Sequence, residues 1–463
     1  MRYNNLAITI TDRQAGGYPV SAVDQEVGRV SYVVRPASPD LTASIDALVE
    51  GPRGQGGVPA AKSVGVGLFR WLTEGPLEAH LRLAWDRAQR AGRGLRLRLS
   101  IDPPDISSWP WELLHDPVRD HSFAASVGTP LVRYYDQTAT FGALLEPEAE
   151  MPLDVLLVVP ASSDLDLDRE RHMVEEALTP LVGALTLHVL EGVVTRKMLA
   201  GAIRTGQYDV LHISGHGGFS EGQGYVGLHG PSGEPDWLDG TMLARICSSH
   251  SSLRLVVLNV CSSGRVDAGV PFQGIPPQLV RGGVPAVVAM QYSLDDAAAA
   301  LFAREFYHQL CLGDDAGHVD IAVTHARSVL AVNRDKDWSY AVPVLFTHSA
   351  DSVLFAALQE PEVSAIASAG QWAKQASFMA SLEQSLAFDE DWSLADVASL
   401  TRWQQILRQA EQNYQLHASD RNDQVRRAAN YGLDIVRARL SILTERLAAL
   451  RQDSRKALQD TYR

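Results

Sequence analysis

Two short stretches carry side chains suited to nucleophilic chemistry. LHISGHGG, Leu211 to Gly218, runs from an apolar segment into His216, set between Gly215 and the pair Gly217–Gly218. LRLVVLNVCSSG ends a second apolar run on Cys261. The thiolate is the attacking form of cysteine, and an adjacent imidazole lowers the thiol's pKa. His216 and Cys261 are therefore candidates for base and nucleophile. The glycines suit such a site. Gly217 leaves room for a substrate backbone beside His216, and its N–H, with that of Cys261, is a candidate donor to a developing oxyanion. Each residue also has a plainer reading. A cysteine behind a buried strand is usually a small core residue, and a histidine among glycines can simply mark a turn.

Other candidates are weaker. His212 lies inside the apolar run and reads as a buried, satisfied histidine. A metal site built from His212, His216 and Cys261 is disfavoured, because a strand alternates its side-chain faces and no fourth ligand is in view. No metal or cofactor is expected. Cys247 and Cys311 fall on expected helices among alanines and leucines, as packing residues. Ser262 and Ser263 follow Cys261 directly. A turn there would aim only one side chain at His216, so a serine hydrolase is disfavoured. GPRGQGG, residues 51–57, does not lead into a Lys-Ser/Thr pair and is not a phosphate loop.

The surrounding elements must place His216 and Cys261 together. From residue 152 short apolar runs (VLLVV, LTLHVL, DVLHIS, LRLVVLNV, PAVVAM, AVPVLFT) alternate with helical stretches such as TRKMLAGAIR, GTMLARICSS, PPQLVRG and DDAAAALFAREFYHQL. That alternation predicts βαβ units and a mostly parallel sheet. In such sheets ligands collect at the carboxyl ends of the strands. DVLHIS is expected to end at Ser214, with His216 just beyond. Cys261 follows the next parallel strand, so both sit on one side of the sheet.

The flanking regions differ. Residues 1–50 hold short strands, in Leu6–Ile10 and GRVSYVVRP. PLEAHLRLAWDRAQRAG reads as a helix, and LRLRLSI as a strand with Leu95, Leu97, Leu99 and Ile101 on one face. SSWPWELLHDP and the strand TPLVRYY follow. After about residue 355 the chain is polar and helical. Ser393 and Asp396 form a capping box for a helix to about His417. Leu433, Val436, Leu440, Leu443, Leu447 and Leu450 then keep a heptad spacing. That repeat is too short to fix a coiled coil, and packing in a helical bundle is the plainer reading.

The bulk numbers exclude several function classes. The chain has 463 residues, enough for two or three domains, with 46% hydrophobic and 21% charged residues. Its 41 basic and 55 acidic side chains give a formal charge of −14, which argues against binding nucleic-acid backbones. Three cysteines do not make a disulfide framework, so a reducing cytoplasm is expected. MRYNNLAITITD lacks the apolar core of a signal peptide. No run of eighteen apolar residues predicts a membrane span.

LHISGHGG, LNVCSSG and PPQLVRGGVPAVVAMQYSLDDAAAALFAREFYHQL together resemble a CHAT domain. This is the bacterial branch of the caspase-like clan CD cysteine peptidases, related to separase, metacaspase and gingipain. SSWPWELLHDP and TPLVRYYD resemble the segment that precedes the catalytic half, and the resemblance covers roughly residues 90–350. It implies an α/β fold: a caspase-like three-layer sandwich with a mostly parallel central sheet, plus a C-terminal α-helical segment. It divides the chain into an N-terminal pseudo-caspase-like or regulatory part (1–150), a catalytic domain (151–357) and a helical interaction segment (358–463).

The resemblance also implies roles for single residues. His216 is the base or acid, Cys261 the nucleophile, and the Gly217 and Cys261 amides the oxyanion donors. Asn259, two residues before the cysteine, lines the pocket for the residue preceding the cut bond. Asp295 and Asp296 either face that pocket, favouring a basic residue there, or cap the helix that they open. The implied function is a regulated cysteine endopeptidase that cleaves a protein partner, an effector in a bacterial defence or stress-response system. An activating or sensor protein is expected to act through the C-terminal helices, with no direct nucleic-acid or membrane contact. A non-catalytic caspase-like signalling scaffold is the alternative.

Overall fold

A computed structural model describes residues 2–50, 57–135, 151–161, 174–175, 177–181, 183–220, 223–248, 252–262, 274–292, 294–333, 337–349 and 351–356, with scattered positions between 408 and 444. By compactness the chain divides into two units. One holds residues 1–173 and 187–357; the other holds 174–186 and 358–463.

The first unit is built on one sheet. Its strands are β1 (Tyr3–Ile10), β2 (Tyr18–Asp24), β3 (Gly28–Val34), β4 (Gly94–Ile101), β7 (Leu131–Tyr134), β8 (Leu153–Pro160), β9 (Leu185–Gly192), β10 (Val210–Ser220), β11 (Gln223–His229), β12 (Pro235–Asp239), β13 (Leu255–Ser262), β14 (Ala286–Met290) and β15 (Pro343–Thr347). A separate two-residue hairpin joins β5 (His115–Asp116) to β6 (His121–Ser122). The sheet order is β12-β11-β10-β13-β14-β15-β7-β4-β1-β2-β3, with β8 also paired to β10 and β9 to β8. Two parallel blocks, β8-β10-β13-β14 and β15-β7-β4-β1, meet at an antiparallel β14–β15 junction. The sheet is continuous across residue 150, which falls between β7 and β8.

The same local path occurs twice. β1 turns through the antiparallel strands β2 and β3, and β4 then returns parallel to β1 on its other side. β10 turns through β11 and β12, and β13 returns parallel to β10 on its other side. The first path contains no cysteine.

Helices cover both faces, giving three layers. They are α1 (Pro39–Glu50), α2 (Gly57–Leu72), α3 (Leu77–Arg90), α4 (Pro104–Ser107), α5 (Arg196–Thr205), α6 (Gly240–Cys247), α7 (Ile275–Arg281), α8 (Asp296–Leu312) and α9 (Val319–Asn333). One core packs Leu6, Ile8, Leu97 and Leu99 against α2 and α3. A second packs Leu211, Ile213, Val256 and Leu258 against α5, α6 and α7. α8 and α9 lie on the opposite face, as the partners of His212 and Arg96 show below. Of the second unit, the described positions after 400 are helical but for a turn at Ala418, and Leu433 and Val436 are buried. Ser393, Asp396, Leu443, Leu447 and Leu450 lie outside the described residues.

SSWPWELLHDP and TPLVRYY meet in the core through charge. The Arg133 guanidinium donates to both carboxylate oxygens of Glu112, at 2.9 and 2.7 Å, and all these groups are buried. Arg327 of α9 donates to the carbonyls of Pro343 and Leu131 and stands 3.9 Å from Glu112. Burial lowers the Arg327 pKa to about 10, which leaves it charged at neutral pH. Arg96 of β4 donates to Asp320 of α9 at 2.6 Å, also buried. Removing one member of such a set strands the others as buried charges, at a cost of about 3–5 kcal/mol. Glu112→Ala is therefore expected to lower unfolding stability by about that much, read by urea unfolding followed through tryptophan fluorescence. A loss below about 1 kcal/mol would show that water reaches both arginines.

Candidate active site

β10 is the strand on which the site depends. Val210–Ile213 pair with Val155–Val158 of β8 on one side, and Val210–Gly217 pair with Leu255–Ser262 of β13 on the other. Once β8 has ended, Gly217–Ser220 pair instead with Gln223–Val226 of β11. The strand does not stop at Ser214, as its glycines suggested, but runs through all three of them to Ser220. His216 therefore sits at a fork, past the last β8 partner and before the first β11 partner.

Register joins the two chemical residues. His216 lies directly opposite Cys261, in the same ladder that pairs Ser214 with Asn259 and His212 with Val257. Neighbouring strands are about 4.8 Å apart, and paired positions share a face. Cys261, like His216, lies within its strand rather than beyond it. Both positions are on the sheet face covered by α8.

A buried polar column continues down this face. The Asn259 amide donates to the Ser214 hydroxyl at 3.3 Å, and both residues are buried. Asn259 thus lies one step beneath the His216–Cys261 pair. Lower still, His212 Nδ1 and the Tyr307 hydroxyl of α8 lie 3.1 Å apart, with their rings stacked. Burial pushes His212 down to about 4, so it is neutral at physiological pH. Ser214 and Tyr307 are site neighbours that sequence reading passed over. For Ser214 the only signal was the alternation along β10; Tyr307, among Arg304, Glu305 and His308 on α8, had none.

Asp295 and Asp296 follow β14 at the same end of the parallel block. The Asp295 carboxylate accepts from the Ala298 N–H at 3.0 Å as the N-cap of α8. Asp296 is exposed in the first turn. Gly217 has register partners on both sides, Val226 and Ser262. Cys247 and Cys311 are buried, and burial lifts both thiols to about 12. GFSEG, residues 218–222, spells a hydrolase nucleophile-elbow pattern, but Ser220 pairs with Gln223 in a hairpin instead of leading into a helix. Among the described residues no three His, Cys, Asp or Glu side chains are grouped to hold a metal ion. No described helix is long and apolar enough to cross a membrane.

The sequence pattern of the CHAT domain matches residues 62–387, well over half of the chain. The chain belongs to the CHAT family. No curated protein matches the chain in sequence. Among solved structures, two of the Saccharomyces cerevisiae separase–securin complex are similar, at 12% and 11% identity with TM-scores of 0.47 and 0.46. In both, the similarity covers 74% of this chain and 30% of the separase chain. The CHAT chain thus spans under a third of those chains' length.

The polar column makes the fold sensitive to acid. His212 takes up a proton at about pH 6.5 when unfolded but only near 4 when folded, so acid favours the unfolded chain. Stability is expected to fall between pH 6.5 and 4, by on the order of 3 kcal/mol, and to level off below. In His212→Gln, which cannot titrate, that part of the pH dependence should vanish. Parallel unfolding curves for the two proteins across this range would refute the assignment.

Proposed function

We propose that the chain is a cysteine endopeptidase that works through a Cys261–His216 dyad on a protein substrate. The observation that carries this reading is the register that sets His216 opposite Cys261 on adjacent parallel strands. In the proposed reaction His216 takes the thiol proton and the thiolate attacks the peptide carbonyl. As the C–N bond breaks, the same imidazole returns that proton to the leaving amine. Water then hydrolyses the acyl-thioester, releasing the acid and the thiol. The Cys261 amide is one oxyanion donor. Gly217 adds a second only if its N–H leaves the ladders that flank it, so opening of the β10–β11 fork is part of the reading. Asn259, Asp295 and Asp296 are assigned to the neighbourhood of the residue before the cut. Asn259 then acts from beneath, through Ser214, and Asp295 combines that role with its cap. Regulation by a partner protein, in a defence or stress response, is assigned to the C-terminal helical unit.

Cys261→Ala is expected to abolish cleavage and leave the fold intact. In the unmodified chain iodoacetamide should label Cys261 at least about 100-fold faster than Cys247 and Cys311, whose burial and raised pKa make them inert. The sharper comparison is His216→Ala, which should slow labelling of Cys261 at neutral pH about tenfold or more as the thiolate is lost. Unchanged labelling in His216→Ala would favour the non-catalytic scaffold.

A further inference from the structure

The hairpin beyond His216 carries an exposed aromatic side chain that is aligned with the dyad. Gly227 of β11 lies beside His216: a Cβ added there would be 3.3 Å from His216 Cβ and 3.4 Å from Trp237 Cζ3. Trp237 of β12 is the ladder partner of Gly227. Cys261, His216, Gly227 and Trp237 thus form one row across four adjacent strands, all on one face. Gly218, the next residue of β10 on that face, pairs with Tyr225. Two glycines beside His216 therefore leave a floor without side chains, bordered by Tyr225 and Trp237.

This border is held firmly. The Arg196 guanidinium donates to the Trp237 carbonyl at 2.8 Å and to Asp236 at 2.5 Å. Asp239, at the other end of β12, caps α6 through the Met242 N–H at 2.8 Å. Yet the Trp237 side chain is itself 41% exposed. A large indole displayed on a pinned strand, over a glycine, has the character of a contact surface. The described carboxylates of this hairpin are already engaged: Asp236 with Arg196, Asp239 in its cap and Glu234 with the Ser232 N–H. The surface therefore suits an apolar side chain and not a cation.

We infer that Trp237, with Tyr225, binds large apolar side chains of the first two residues after the cut bond. The inference rests on the dyad reading. In that reaction Cys261 holds the carbonyl side of the bond, and His216 must stand on the side of the amine that it protonates. The leaving segment then continues past His216, over Gly227 and against Trp237. An extended chain advances about 3.3 Å per residue, so its first two residues span the glycine floor.

The full-length chain is incubated with a random peptide library, and cut sites are read by mass spectrometry. Large apolar residues should be enriched in the first two positions after the cut. Trp237→Ala should lower cleavage of such peptides about tenfold, the scale of a lost aromatic anchor, while residues before the cut keep their preferences. Trp237→Phe should retain most of the effect, and Gly227→Ala should reduce it by filling the floor. A flat profile after the cut, or one that Trp237→Ala leaves alone, overturns the assignment and spares the dyad.

A second measurement needs no turnover. Iodoacetamide and N-benzyliodoacetamide both alkylate Cys261 by forming an S–C bond with loss of iodide, but only the second carries a ring toward Trp237. The benzyl reagent should gain about tenfold relative to the plain one, and the ratio should collapse in Trp237→Ala. If no peptide is cut yet the ratio collapses, the aromatic surface stands and the peptidase reading fails. If no peptide is cut and the ratio is unchanged by Trp237→Ala, both fail.

Discussion

The register of β10 is the constraint on which the site depends. One strand serves three neighbours, and only a single alignment satisfies all of them. A slip of one residue against β13 would move His216 off the row of Cys261 and turn every side chain of β10 to the other face. The apolar residues give little protection against such a slip, since Val210–Ile213 and Leu255–Leu258 are buried whichever way they face. The Asn259–Ser214 hydrogen bond discriminates better. Both groups are buried, and a buried amide or hydroxyl without its partner costs about 1–3 kcal/mol. A pair located one step below His216 and Cys261 is thus positioned to hold those two residues in line.

A second constraint ties the part of the sheet that holds the candidate site to what precedes it. Glu112 and Arg133 precede residue 150, Arg327 lies on α9 beyond it, and the carbonyls that Arg327 binds, Leu131 and Pro343, come one from each side of that point in the chain. Gln291 and Tyr292, just past β14, bond the carbonyl of Ser108 at 2.5 and 3.2 Å. The tryptophan-rich segment thus grips the end of the strand next to Cys261's own. Buried ion pairs gain little net stability over well-packed apolar side chains. What they supply here is geometry: two arginines and one carboxylate can be satisfied together in few arrangements.

The parallel core was legible because its strands are short apolar runs, unbroken at 155–159, 255–258 and 286–290 and interrupted at 210–213 only by His212. The hairpin was not. β11 and β12 read QGYVGLH and PDWLD, with glycines, a proline and acids that resemble loop, and only the alternation of Val226, Leu228 and Leu238 toward the core marks them as strands. The same bias made GHGG look like the end of β10. Asp295 was ambiguous for a different reason. A carboxylate at a helix start suits both a cap and a pocket, and only the Ala298 N–H shows which bond it makes.

Alternation also reassigns the glycines. Residues 215 and 217 share the face of Leu211 and Ile213, where α5, α6 and α7 pack, and a Cβ at 215 would lie 3.4 Å from Pro160. Gly215 thus lies on the packed face beside β8, away from the imidazole. On the face of His216 the space is made by Gly218 and by Gly227, the latter eleven positions on and brought alongside only by the hairpin. A glycine's role in a strand is fixed by its face and its cross-strand neighbour. For that reason GHGG read alone assigned the clearing of the site to residues beside His216 in sequence, while the fold assigns part of it to the next strand.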